Sequence, residues 1–179
     1  MSLGVIQIKG EEKLKAGLIQ LAARLRVGRE PLIRTKYYML DQIKRNFASQ
    51  GALFGEPWEP LTPMTIEMKR QEGFPATPLV RTGRMREAFF GLVGRDELLI
   101  KNSMPYFKKH QSIRERDRMI RPLWKIKTET GYIHKRSPKL KPLPRRVMMK
   151  LDKARKRFIL REIFLPWVIK NIRETFQKM

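Results

Sequence analysis

The sequence predicts one α+β domain spanning residues 1–179, in which an N-terminal helical hairpin and C-terminal helices pack on a small antiparallel sheet beside a long basic loop or arm. Three observations predict it. Apolar residues recur at helical spacing over 14–47 and again over 150–177, two short apolar strand segments flank a turn over 88–101, and a proline-rich cationic stretch at 112–144 shows little periodicity. A chain of 179 residues, 41% hydrophobic, suits one domain burying roughly 70% of its unfolded surface.

The elements follow in order. Val5 to Lys9 alternates as a short strand, and Gly10 ends it before Glu11 and Glu12, acidic residues suited to a helix N-terminus. Leu14, Leu18, Leu21 and Leu25 place one apolar stripe on a helix that stops near Gly28. Pro31 suits the first turn of a second helix, whose stripe of Ile33, Tyr37, Leu40, Ile43 and Phe47 runs to Ser49-Gln50-Gly51. Residues 51–63 hold three prolines and two glycines and form no regular element, yet Phe54, Trp58 and Leu61 are too apolar to leave in water, so an ordered loop is expected. Thr62 followed by Pro63 is an N-cap with proline at the first helical position, starting a short helix that Gly73 closes. Thr82 and Gly83 open another helical turn. From Ala88 a strand runs to a turn at Gly94–Glu97 and returns as Leu98–Lys101. The arm at 112–144 carries a strand pair around Leu123–Ile126 and Gly131–His134. Beyond Lys150 the helical pattern meets Pro166, which predicts a kink or two consecutive helices.

The formal charge is +23, from 40 Lys and Arg against 17 Asp and Glu. It is local: residues 108–157 hold nineteen cations and four acids, a balance of +15. Lys108, Lys109, Arg114, Arg116, Arg118, Arg121, Lys125, Lys127, Lys135 and Arg136 form the front of this block. Such a field attracts phosphate or acidic protein surfaces, whereas crowding like charges disfavours compactness unless something neutralises them. A solvated loop that merely aids solubility is the bland alternative. The absence of cysteine excludes disulfides, cysteine zinc sites and thiol chemistry. No apolar run approaches the roughly 20 residues of a membrane span, and the first residues lack a signal-peptide pattern, so a cytosolic chain with no membrane partner is expected.

Chemistry is sparse. His110 and His134 have no companion ligands at metal spacing, and the four acids of the basic block sit among arginines, where they read as ion pairs rather than a nuclease centre. No phosphate-cradling glycine loop or nucleophile elbow occurs. No catalytic residue, cofactor or metal is therefore expected, and the chain reads as a non-enzyme. Phe107, Trp124 and Tyr132 lie among lysines and could stack on bases; cross-strand packing of Trp124 and Tyr132 within the arm is the structural alternative.

The order of several short motifs resembles a family. A helical pattern ends in Phe47, Gly55-Glu56-Pro57-Trp58 follows, then Leu61-Thr62-Pro63-Met64-Thr65 with Lys69, then Leu79-Val80-Arg81-Thr82-Gly83-Arg84-Met85. Later come Tyr106-Phe107-Lys108-Lys109-His110-Gln111 and Pro144-Arg145-Arg146. Over residues 5–150 this series is similar to the phage virion morphogenesis proteins, the Mu-like tail-completion group of tailed bacteriophages. The chain departs from the family's pattern at Phe107, where the family has Ala, at Ser112-Ile113 after Gln111, where a Gly is missing, in one absent spacer before Arg145, and in the basic insertion itself. The resemblance implies a structural virion protein of the neck or tail-completion type that helps join head and tail. It implies a ring of identical subunits, a hexamer, assembled in the host cytoplasm. The arm would meet acidic connector or tail proteins or the genomic DNA backbone, and Trp58, Leu61, Thr82, Gly83, Tyr106, His110, Gln111 and Arg145 would be structural. Within that reading Trp58 and Leu61 plug the core, Thr82 caps a turn and His110 satisfies a buried backbone group. The rival expectation is a free nucleic-acid-binding protein without sequence specificity, which needs only phosphate contacts.

Overall fold

A computed structural model describes residues 11–26, 28–112, 119–120, 123–128, 131–136 and 141–177. The helices are α1 (Glu11–Leu25), α2 (Arg29–Ala48), α3 (Pro63–Gln71), α4 (Arg84–Glu87), α5 (Phe107–Gln111), α6 (Lys153–Phe158) and α7 (Leu165–Phe176). The strands are β1 (Phe89–Val93), β2 (Leu98–Asn102), β3 (Met119–Ile120), β4 (Leu123–Thr128), β5 (Gly131–Arg136) and β6 (Lys141–Pro142). They pair as β1 with β2, β3 with β6 and β4 with β5. This is the α+β class that the sequence predicts; the expected strand at Val5–Lys9 lies outside the described residues.

Contacts divide the chain into two compact units. The first draws on residues 1–38, 91–99 and 151–179. Here α1 packs along α7, although its nearest neighbour in sequence is α2. Gly28 sits within 4.0 Å of the Trp167 ring at the point where a Cβ would project, and Arg24 pairs with Glu174 at 3.5 Å. Tyr38 stacks on Phe158 with ring centroids 4.5 Å apart. Asp152 caps α6 by accepting from the Arg155 backbone N–H at 2.9 Å, and its carboxylate also pairs with the Arg155 side chain.

The predicted irregularity at Pro166 takes a specific form. Residues Ile159–Phe164 are a π-helix, and the Leu165 N–H reaches back five residues to the Leu160 carbonyl. Proline has no N–H for the Glu162 carbonyl four residues before it, and its ring would strike that carbonyl in a regular α-turn. The wider turn gives the ring room and lets α7 begin at once.

The second unit comprises residues 39–90 and 100–150. Its core is Ile43, Phe47, Trp58, Met85, Phe89 and Met148, lined by Leu40, Leu79, Val80, Ile100, Met104, Phe107 and Met149. Phe47 meets Trp58 and Phe89 edge-on at 5.1 and 6.1 Å, and Phe107 closes on Phe89 at 5.4 Å. Such perpendicular pairs add about 0.5–1.5 kcal/mol each beyond their buried area. The cap predicted at Thr62 is present: its hydroxyl accepts from the Thr65 N–H at 3.3 Å. In the first unit, Gly94 and Glu97 close the β1–β2 turn at 2.9 Å.

Candidate functional site

Residues 145–149 enter the second unit without belonging to a helix or strand, although Arg146, Val147 and Met148 are buried. A buried backbone needs partners, and the residues singled out in the sequence supply many of them. The Val147 carbonyl accepts from Trp58 Nε1 at 3.0 Å and from Asn46 Nδ2 at 2.9 Å. Gln111 Oε1 accepts from the Met148 and Met149 N–H groups at 2.8 and 3.3 Å, while its Nε2 donates to the Met149 carbonyl at 2.8 Å. The Arg146 N–H donates to the His110 carbonyl at 2.9 Å, and its guanidinium donates to the Glu59 carbonyl at 3.0 Å. Trp58, His110, Gln111 and the segment after Pro144, scattered across ninety residues of sequence, therefore meet at one buried strip.

Asn46 was not foreseen. It is fully buried, and its Oδ1 also accepts from the Phe54 N–H at 3.3 Å. The signal was a polar residue three positions after Ile43 and one before Phe47, in phase with the apolar stripe of α2, where only a hydrogen-bonded side chain is tolerated. The loop that follows turns on Gly51 at φ +92°, where an added Cβ would lie 2.4 Å from both the Glu56 carbonyl and Trp58 Cδ1. Glycine is thus required for the Trp58 indole to reach Val147.

Three further groups frame the strip. Lys69 Nζ donates to the carbonyls of Pro75, Thr77 and Val80 at 3.1, 2.6 and 2.5 Å, tying the loop after α3. Burial, and then the charges of Arg81 and Arg146, hold its pKa below the ordinary lysine range. Glu56 binds Lys150 at 2.8 Å and Arg145 at 2.9 Å, and the Lys150 hydrogen bond is the main reason its carboxyl is held below the usual value. His110 is half-buried with its Nδ1 unpartnered, and burial, reinforced by the charge of Arg146, lowers its pKa to about 4. Neutral at pH 7, it stays uncharged beside a buried guanidinium.

Two structural roles expected from the resemblance need correction. Thr82 does not cap the helical turn: Gly83, at φ +79°, holds the N-cap position of α4, with no side-chain cap bond. Leu61 is half-buried at the edge, while Trp58 alone of the pair enters the core. His110 accepts from the buried Arg146 N–H through its own carbonyl, and its ring Nδ1 has no hydrogen-bond partner. Tyr106 is exposed, and Lys108 and Lys109 lie exposed on α5.

The described residues of the arm form a double-stranded antiparallel ribbon in two pieces, β3 with β6 and β4 with β5. Met119 pairs with Pro142 and Ile120 with Lys141; further along, Leu123 pairs with Arg136 and Thr128 with Gly131. Its strands join neither each other's sheets nor the β1–β2 sheet among the described residues. The register sorts its positions. Leu123, Lys125, Lys127, Tyr132, His134 and Arg136 share one side of the β4–β5 ladder, and Trp124, Ile126, Ile133 and Lys135 share the other. Lys125, Lys127 and Arg136 thus come together, and Lys135 is separated from them. Trp124 stands opposite Lys135 and Tyr132 opposite Lys127, on different sides of the ladder. Arg114, Arg116, Arg118 and Arg121 lie outside the described residues.

Chemically the arrangement fastens and attracts. No group of three His, Cys, Asp or Glu among the described residues could hold a metal ion, and no described helix is long and apolar enough to cross a membrane. Against known proteins, no family model, no curated protein and no solved structure matches this chain.

Proposed function

We propose that the chain is a structural virion protein of the neck or tail-completion type, a non-enzyme that forms a ring, a hexamer, and helps join or complete the head and tail of a tailed phage assembled in the host cytoplasm. The observation that supports this reading is the ribbon: Lys125, Lys127 and Arg136 occupy one side of a self-paired ladder, in a block of charge +15. A ladder with Lys125, Lys127 and Arg136 on one side and Lys135 among Trp124, Ile126 and Ile133 on the other is suited to lie on an acidic surface of a neighbouring connector or tail protein, or of the next subunit. Closed rings arise from repeated heterologous contacts, and an arm extends the reach of each subunit to the next.

The test is the composition of particles. Mass spectrometry and labelled imaging of purified virions are expected to find the chain at the neck or tail terminus in a fixed copy number. Charge reversal at Lys125, Lys127 and Arg136 is expected to lose it from particles while the isolated protein stays folded. Full incorporation of that variant sinks the reading.

The same side of the ladder supports a second reading, a nucleic-acid-binding protein without sequence specificity, because Tyr132 shares it with the three cations. Binding of this kind weakens steeply with salt through counterion release. A chain that shifts DNA alone, as a monomer or dimer and absent from particles, favours it.

A further inference from the structure

Helix α7 carries more apolar surface than its own unit covers. Leu165, Ile169, Ile172 and Phe176 follow steps of four, three and four, the spacing of a coiled-coil seam. Each is exposed, at 52%, 39%, 39% and 37% of its surface. The row one residue earlier, 164, 168, 171 and 175, is half-buried or buried, with Thr175 at 1%, so the packed side of α7 is already accounted for. The row one residue later, 166, 170, 173 and 177, is exposed and carries Lys170 and Arg173. An open groove of about 570 Å³ runs along this basic row and meets the seam at Leu165 and Ile169. A helix apolar on this much of its circumference is normally covered on both sides.

Charge decides the occupant. The one carboxylate near the rim, Glu174, is engaged by Arg24 at 3.5 Å and Lys170 at 3.9 Å, and Arg173 has no ion pair among the described residues. A second copy would bring another +23 to the contact, whereas a helix with acidic flanks complements Lys170 and Arg173. We propose that the seam of α7 is a docking site for an amphipathic helix with acidic flanks carried by a different protein. The inference is independent of the virion reading and of the ribbon.

The probes are synthetic peptides of about three heptads with Leu at both seam positions. One carries Glu at the flanking positions, a second carries Lys there, and a third keeps Glu but replaces the Leu by Gln. The full chain is expected to bind the first at least about tenfold more tightly than either of the others. A double variant, Ile169→Gln with Ile172→Gln, changes no charge and is expected to weaken the first peptide about tenfold while leaving the circular dichroism spectrum and the melting temperature in place. Equal binding of the first and third peptides, or unchanged binding by the double variant, assigns the peptide to the general basic surface and overturns the proposal. So does a wild-type dimer in light scattering that the double variant converts to monomer, since the seam is then filled by a second copy. Should the double variant melt early, Ile172→Gln alone provides the same comparison.

Discussion

The second unit and helix α7 treat their apolar residues in opposite ways. Around Trp58 every large side chain of the core is buried and each carbonyl or N–H of the 147–149 strip that meets Asn46, Trp58 or Gln111 is hydrogen-bonded. Along α7 four apolar side chains of equal regularity are left in water. The first arrangement completes itself within one chain; the second has the pattern of a contact awaiting its other half. Hydrophobic spacing in a sequence thus reports that a face wants covering, without saying whether the cover comes from the same polypeptide.

Substitutions can sharpen the contrast. Gly51→Ala forces a Cβ to within 2.4 Å of the Glu56 carbonyl and the indole at a backbone φ of +92°, and should destabilise by about 4 kcal/mol in urea titration. A loss under about 1 kcal/mol would mean that the loop repacks freely and that the core is less self-sufficient than described.

Next in size is the pH dependence centred on His110. Its folded pKa of about 4 lies below the ordinary histidine value of 6.5, so the unfolded chain binds more protons between the two. The stability it contributes is fully present above about pH 6.5 and is lost as pH falls toward 4, amounting to at most about 3 kcal/mol. His110→Gln should flatten that part of the stability profile; an unchanged slope would place the titration elsewhere.

Asn46→Ala removes two buried hydrogen bonds, leaves the Phe54 N–H without its side-chain acceptor, and should cost about 2 kcal/mol. Glu56→Gln tests a pair of ion pairs that are over a third exposed on the acidic side. The carboxylate's depressed pKa means that its contribution exists above the unfolded glutamate pKa and fades as pH falls through the folded one. Solvent screening keeps this to about 0–1 kcal/mol. Smallest of all, the charge-neutral double substitution at Ile169 and Ile172 should leave stability within about 0.5 kcal/mol of wild type, since both side chains are exposed.

Local rules made much of the fold legible. Thr62-Pro63 announced a capped helix, Gly94–Glu97 a hairpin, Pro166 a break, and the ribbon's strands fell within two residues of their predicted limits. The buried strip was less visible, because its bonds join residues 37 to 101 positions apart. Such links leave no period. Trp58 and Gln111 could be picked out only through motif order, and Asn46 only as an anomaly in an apolar stripe. The role given to Thr82 failed because Gly83, at φ +79°, takes the N-cap position of α4 and no hydroxyl is used there. The partition of Lys125, Lys127 and Arg136 from Lys135 depended on pairing register, which composition does not encode.

The π turn before Pro166 has a consequence for how α7 is aimed. Each residue of an α-helix advances the azimuth by about 100°, and a π turn takes in one residue more than an α turn. Were the residues of Ile159–Phe164 to wind as a regular α-helix instead, with none removed, everything downstream would swing by about a quarter revolution. The bulge therefore acts as an indexing notch, fixing which compass bearing the last helix shows to the outside.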